Sequence, residues 1–169
     1  MADEADFMVQ YRKILTLLSE AEIRFVLIGG LAMILQGSNT FTSDIDITFA
    51  MDSENLERLT ECINQLHPRP IGVFDNPSFA VSADIIHRWR FVLLKTDLGG
   101  IDLLKSPQGI DSFEGLYERA SILDMGGFEV HVASVDDLIA MKKTANRPKD
   151  QGHLLELLAL KKLSEESGS

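Results

Sequence analysis

The sequence predicts an α+β domain, a small mixed β-sheet flanked by helices and closed by a C-terminal helical pair. Three observations predict it. Short apolar runs such as Phe25-Val26-Leu27-Ile28 stop abruptly at glycines, as buried strands do. Asp44 to Phe49 alternates acid with apolar, the two-residue period of a strand with unlike faces. Strand signals cease near residue 133, and two helical segments follow. Residues 1–133 are therefore expected to form the main body, with residues 134–169 a helical segment packed on it.

The elements follow in order. Phe7, Tyr11, Ile14, Leu15 and Leu18 recur at helical spacing, which predicts an amphipathic helix over 5–20. A strand over 25–28 ends at Gly29-Gly30, and a short helix over 31–35 precedes Gly37. A polar loop spans 38–43, and a strand spans 44–49. Leu56, Leu59, Ile63 and Leu66 share one face of a helix over 53–66, capped by Asp52 or Ser53 and stopped by Pro68 and Pro70. A strand is expected over 88–95 around Trp89, Phe91 and Leu93, then a turn at Gly99-Gly100 and a strand over 101–104. Segments 122–124 and 128–132, joined through Gly126-Gly127, read as a hairpin. Ser134-Val135-Asp136-Asp137 opens a helix with a capping-box pattern. Pro148 starts a last helix to about Leu163, with a frayed tail after it.

Composition narrows the class. The chain has 169 residues, 45% hydrophobic and 25% charged, as folded domains do. At this length roughly 70% of the extended surface can be buried, so no disulfide or zinc staple is needed. No apolar run approaches the ~20 residues of a membrane span. The acidic start MADEADF lacks the basic and apolar regions of a leader peptide, and the single Cys62 cannot form an internal disulfide. A cytoplasmic protein without membrane contact is expected. The net charge of −10 disfavours a broad basic face for extended duplex nucleic acid. The acids are uneven: residues 1–66 hold 11 acids and 4 bases, 67–133 hold 9 and 6, and 134–169 hold 6 and 6.

The chemistry centres on carboxylates. Asp44 and Asp46, two apart in a strand, project from one face while Ile45 and Ile47 face the core. Like charges so placed repel and call for a cation. Asp102, a lone acid in the apolar run Gly100-Ile101-Asp102-Leu103-Leu104, is expected to be buried and partnered, by a metal or by Arg88 or Arg90. If its strand lies beside the first, three carboxylates converge. That set suits two Mg²⁺ or Mn²⁺ ions ~4 Å apart, which take oxygen ligands and phosphates. Gly29-Gly30, after a strand and before a helix, lets backbone amides approach a phosphate. Lys142, Lys143, Arg147 and Lys149 form a basic cluster at the end of a helix. Asp150 either pairs with one of these bases or caps the last helix.

Leu27-Ile28-Gly29-Gly30-Leu31-Ala32, Gly37 and Thr42-Ser43-Asp44-Ile45-Asp46-Ile47 together resemble the signature of the DNA polymerase beta-like nucleotidyltransferase superfamily. The nearest resemblance is to the small toxin nucleotidyltransferases of abortive-infection systems. Asp102 matches the third acid. Lys142, Ala145, Arg147, Lys149 and Asp150 match the C-terminal helical motif. The resemblance implies a nucleotidyltransferase fold, with residues 1–133 as the catalytic core. It implies transfer of a nucleoside monophosphate from an NTP to a hydroxyl acceptor, with release of pyrophosphate. Asp44, Asp46 and Asp102 would be catalytic and would bind the metals, with Asp102 also helping to deprotonate the acceptor. Gly29, Gly30, Thr42, Lys142 and Lys149 would bind the nucleotide. Members often carry an arginine where this chain has Thr40, which lessens phosphate neutralisation from that loop.

The acceptor class stays open among a protein hydroxyl, a tRNA end and a small molecule. A toxin–antitoxin role with a protein partner or antitoxin rests on the resemblance alone. The alternative is a catalytically weak nucleotide-binding or regulatory partner protein of the same fold. Trp89 is expected in the core with Arg88 and Arg90 facing solvent, the alternative being an aromatic that stacks on a base. His67, His131 and His153 show no zinc spacing, and Cys62 is expected in the core.

Overall fold

The computed structural model describes residues 4–72 and 78–168. Residues 1–3 of the acidic start and Ser169 of the tail lie outside the described residues. The first helix, α1 (Glu4–Glu20), leads into strand β1 (Phe25–Ile28), helix α2 (Gly29–Leu35) and strand β2 (Asp44–Phe49). Next come α3 (Ser53–Asn64), the two-residue β3 (Arg69–Pro70), α4 (Ala83–Arg88), β4 (Phe91–Thr96) and β5 (Gly99–Leu104). The remainder is α5 (Phe113–Arg119), β6 (Ser121–Asp124), β7 (Glu129–Val132), α6 (Val135–Ala145) and α7 (Pro148–Ser167).

The strands form one seven-stranded mixed sheet in the order β3-β4-β5-β2-β1-β7-β6. β2 runs parallel to β5, and β1 runs parallel to β7. The other neighbours are antiparallel. β1 is buried at all four positions, so both of its faces are covered. β4 alternates exposed with buried residues along its whole length, so one of its faces is open. Leu15 and Leu18 of α1, Leu59 and Ile63 of α3, and Leu138 and Leu157 of the last two helices share one buried cluster with Leu27, Ile45 and Ile47 of the sheet. No helix among the described residues is long and apolar enough to cross a membrane.

Local chemistry explains the boundaries. Asp52 caps α3, its side chain accepting from the Asn55 amide, and Ser134 caps α6 by accepting from the Asp137 amide. The Asp137 carboxylate accepts from the Ser134 hydroxyl and from Arg119 Nε (2.9 Å), which ties α5 to the start of α6. Cys62 is buried on α3, as its spacing predicts. The hairpin through Gly126-Gly127 forms with both glycines at positive φ.

Several elements differ from the sequence expectation. α2 starts at Gly29 rather than residue 31, α3 stops at Asn64, and β5 begins at Gly99, because the turn falls on Asp97-Leu98. α7 continues to Ser167 instead of fraying after Leu163. The strand expected from Arg88 begins only at Phe91: residues 83–88 form α4, capped by the Ser82 hydroxyl, and Trp89 is its C-terminal cap. Trp89 is therefore not a core residue; it is 60% exposed. The strand's buried side belongs to Val92 and Leu94, which leaves Phe91 and Leu93 on the open side.

Candidate active site

The sheet order puts β2 beside β5, and the parallel register sets Asp46 directly opposite Asp102 and Asp44 opposite Gly100. Side chains at paired positions share a face, so the three carboxylates occupy one patch. Burial, the facing Asp102 carboxyl and the nearby Asp44 push the Asp46 carboxyl up to about 8, against a weaker opposing pull from Lys142. Asp102 is also raised, mainly by burial. Its Oδ1 is buried with no hydrogen-bond partner. Neither arginine expected as an alternative partner reaches it: Arg88 pairs with Asp84 at 3.1 Å, and Arg90 donates to the Ser106 carbonyl at 2.9 Å.

Glycine makes room for this crowding. Gly29 has φ +69°, and a Cβ there would lie 2.7 Å from Asp46 Cγ. A Cβ on Gly100 would lie 2.8 Å from Asp44 Cγ, and one on Gly30 would lie 2.7 Å from Thr42 Cβ. Real Cβ atoms do not approach so closely, so a side chain at any of the three would displace its neighbour, and at Gly29 the positive φ adds backbone strain. The Thr42 hydroxyl donates to the Asp44 carbonyl (3.1 Å) and fixes the entry to β2. Asp44 itself is held by Lys95 Nζ at 3.3 Å. Among the described residues, no group of three or more His, Cys, Asp or Glu side chains is gathered closely enough to hold a metal ion. The three acids share a face, but Asp44 is turned to Lys95.

The basic cluster splits. Lys142 Nζ lies 3.1 Å from Asp150 Oδ1, and Arg147 Nε lies 2.7 Å from Asp150 Oδ2. Asp150 is 1% exposed. It both pairs with bases and caps α7, accepting from the Arg147 backbone amide. Arg147 and Lys142 hold its carboxyl well below the usual carboxylate range. Lys142 is the member of the cluster whose charge reaches Asp46. Lys149 is exposed at the start of α7.

The family model described as "Nucleotidyltransferase of unknown function (DUF6036)" matches residues 7–166. The chain belongs to this nucleotidyltransferase family. The sequence has no match among curated proteins. Among solved structures, lincosamide antibiotic adenylyltransferase LnuA, lincomycin-bound, superposes with a TM-score of 0.60 at 14% identity, over 89% of this chain and 96% of that one. ANT(2")-Ia in complex with adenylyl-2"-tobramycin gives 0.56 at 18% identity, over 94% and 90%. An antigenic nucleotidyltransferase-like protein from Paracoccidioides brasiliensis gives 0.52 at 15%, over 92% and 76%. At these identities the likeness is one of fold.

In this DUF6036 member, sequence reasoning missed what α7 does to the loop before β2. The Asn39 amide donates to Glu156 Oε1 (2.6 Å), and Thr40 Oγ1 lies 3.2 Å from His153 Nε2. Where the resemblance suggests arginine, this chain has a threonine tied to a histidine of its last helix. Burial, then the Lys142 charge, lowers the His153 pKa, which favours the neutral ring. The only available signal was the helical spacing of Asp150, His153, Leu157 and Leu160, which lines one side of α7. A cleft of about 320 Å³ lined by Ser19, Phe25, Tyr117, Glu129 and His131 contains none of Asp44, Asp46 and Asp102.

Proposed function

We propose that the protein is a metal-dependent nucleotidyltransferase that moves a nucleoside monophosphate from an NTP to a hydroxyl acceptor. The observation that carries the reading is the Asp46–Asp102 pair: two facing carboxyls, one with an orphaned buried oxygen, beside a glycine that leaves no room for a side chain. Two such carboxylates side by side are costly without a cation. Their all-oxygen donor set fits Mg²⁺ or Mn²⁺. Asp44, Asp46 and Asp102 would hold the metal, which supplies charge neutralisation at the transferring phosphate.

The chain's own residues then have these roles. The Gly29-Gly30 backbone lies where the triphosphate can approach, with Thr42 bracing it. Lys142, oriented by Asp150, offers a fixed positive charge to the phosphates. Lys149 adds an exposed one. Asp102 helps take the proton from the acceptor hydroxyl. The acceptor oxygen bonds to the α-phosphorus as the bond to pyrophosphate breaks, so pyrophosphate leaves with the electron pair.

The experiment is incubation with each α-phosphate-labelled NTP, Mg²⁺ or Mn²⁺ and a cell extract, beside the double variant Asp44→Ala/Asp46→Ala. Label transfer that disappears in the variant supports the reading. NTP binding without transfer to any fraction supports the second reading, a nucleotide-binding or regulatory partner protein. The observation that favours this second reading is Thr40, engaged with His153 where a cation would serve a phosphate. By resemblance, the acceptor could belong to a toxin–antitoxin setting with a protein partner, acting in the cytoplasm. The co-expressed neighbouring gene tests this by relieving or not relieving growth arrest.

A further inference from the structure

We propose that the open face of β4, around Trp89, Phe91 and Leu93, receives the acceptor as the unpaired end of a single-stranded nucleic acid. The proposal rests on the transferase reading above and names the acceptor class for the same site.

The register places this face beside the acids. Leu93 pairs directly with Asp102, Lys95 with Gly100, and Phe91 with Leu104. One row of side chains therefore runs Asp46, Asp102, Leu93 across three neighbouring strands. Strands are spaced about 4.8 Å apart, so the apolar patch begins one strand's width from Asp102. It lies on the side away from Gly29 and Lys142, where the triphosphate is placed.

The patch is open and aromatic. Trp89, Phe91 and Leu93 are 60%, 55% and 44% exposed, although Val92 and Leu94 between and beyond them are buried. Solvent-facing tryptophan and phenylalanine two residues apart offer flat π-surfaces at low ordering cost. A base has such a surface on both sides, and stacking tolerates any sequence.

Its margin is basic in an otherwise acidic chain. Of the six bases in residues 67–133, five sit here: Arg69, Arg88, Arg90, Lys95 and Lys105. Arg69 pairs with Lys95 across β3 and β4, and the Lys105 amide donates to the Arg90 carbonyl. The Arg90 guanidinium is fixed by the Ser106 carbonyl and lies 5.8 Å from the Phe91 ring. Arg88 is committed to Asp84, and Lys95 to Asp44. Among the described residues Arg69, Arg90 and Lys105 enter no ion pair; the Arg90 and Lys105 side chains donate to the Ser106 and His87 carbonyls, which leave their charges unneutralised. This margin repels a polycationic acceptor and attracts an anionic one. A patch this small, on a chain of net charge −10, suits a strand end and not a duplex.

Trp89 is the only tryptophan, so its emission reports on this patch alone. The full chain, in chelator and without NTP, is titrated with a short oligoadenylate. The expected result is saturable quenching of Trp89, weakened roughly tenfold in Phe91→Ala and in Arg90→Glu, and weakened further by salt. Trp89→Ala, followed by anisotropy of the labelled oligonucleotide, should lose affinity to a similar extent. Absence of quenching overturns the proposal, as does quenching unaltered in both variants. A change of emission with protein concentration alone overturns it too, because a second copy would then cover the face. The titration needs no turnover, so it stands even if the Asp44→Ala/Asp46→Ala experiment shows no transfer. Conversely, label transfer unchanged in Phe91→Ala/Arg90→Glu removes this acceptor and leaves the transferase intact.

Discussion

Asp46 and Asp102 face each other across β2 and β5, and the Gly29 backbone closes the third side of the Asp46 carboxyl. Carboxylate repulsion and burial are thus concentrated at one point of the sheet, without a strong neutralising partner there. Lys95 is paired with Asp44, and Lys142, paired with Asp150, exerts only a weak pull on Asp46.

Relieving that repulsion should stabilise the chain while disabling it. Asp46→Asn puts a permanently neutral side chain where the wild-type carboxyl, raised to about 8, must take up a proton on folding at neutral pH. In chelator at neutral pH the variant should unfold at higher denaturant than wild type, by about 1 kcal/mol or more. On the proposed function it should also lack nucleotidyl transfer, and added Mg²⁺ should stabilise wild type more than the variant. Denaturant melts with and without Mg²⁺ check both effects. A variant less stable than wild type in chelator would contradict the account.

Gly29→Ala should do the opposite. The position has φ +69°, which strains any side chain, and the new methyl would press on the Asp46 carboxylate. A loss of about 1–3 kcal/mol is expected, along with loss of transfer. Thermal melts and product formation measure the two losses separately.

Asp150 gives a pH signature. Its folded pKa is depressed by Arg147 and Lys142, so its contribution is fully present above the unfolded value of 3.8 and is lost as pH falls below it. Asp150→Asn should cost about 3 kcal/mol at pH 7, because it leaves the mostly buried Lys142 without its partner. The variant should also show a flatter decline in stability below pH 4. Melting curves from neutral to acid pH decide this.

Glu156→Ala should free the Asn39 amide, which now donates to that carboxylate at 2.6 Å. Hydrogen exchange at Asn39 should accelerate while the core strands stay protected, with global stability changed by less than about 1 kcal/mol. Acceleration throughout β2 would mean that the loop and the strand open as one unit.

The sequence revealed the parts of this molecule governed by short-range rules. Asp44 to Phe49 alternates visibly, Phe25 to Ile28 stops at glycine, and Ser134 caps the helix that follows it. The pairing of Asp46 with Asp102 was legible only as a condition, that their strands be neighbours, because parallel pairing leaves no local mark. The two missed helices, α4 and α5, have six and seven residues. That is too few for a periodic pattern, though each has a serine cap, Ser82 or Ser112. Trp89 misled because large aromatics are usually buried; what decided its place was the end of α4 just before it. The tie from His153 and Glu156 to the loop at 39–40 joins distant segments, and no spacing in the chain announces it.

The parallel neighbours β2 and β5 have a consequence for how the molecule comes together. α3, β3, α4 and β4 all intervene between Asp46 and Asp102, so this pair meets only after a long segment has been closed and its chain entropy surrendered. Local hairpins such as β6–β7 can form early, whereas the sequence separation of the facing carboxyls favours their meeting late. Stabilisation by a cation at that pair would then act mainly by slowing unfolding, with little effect on the folding rate. A cation bound there would hold the assembled sheet shut in time.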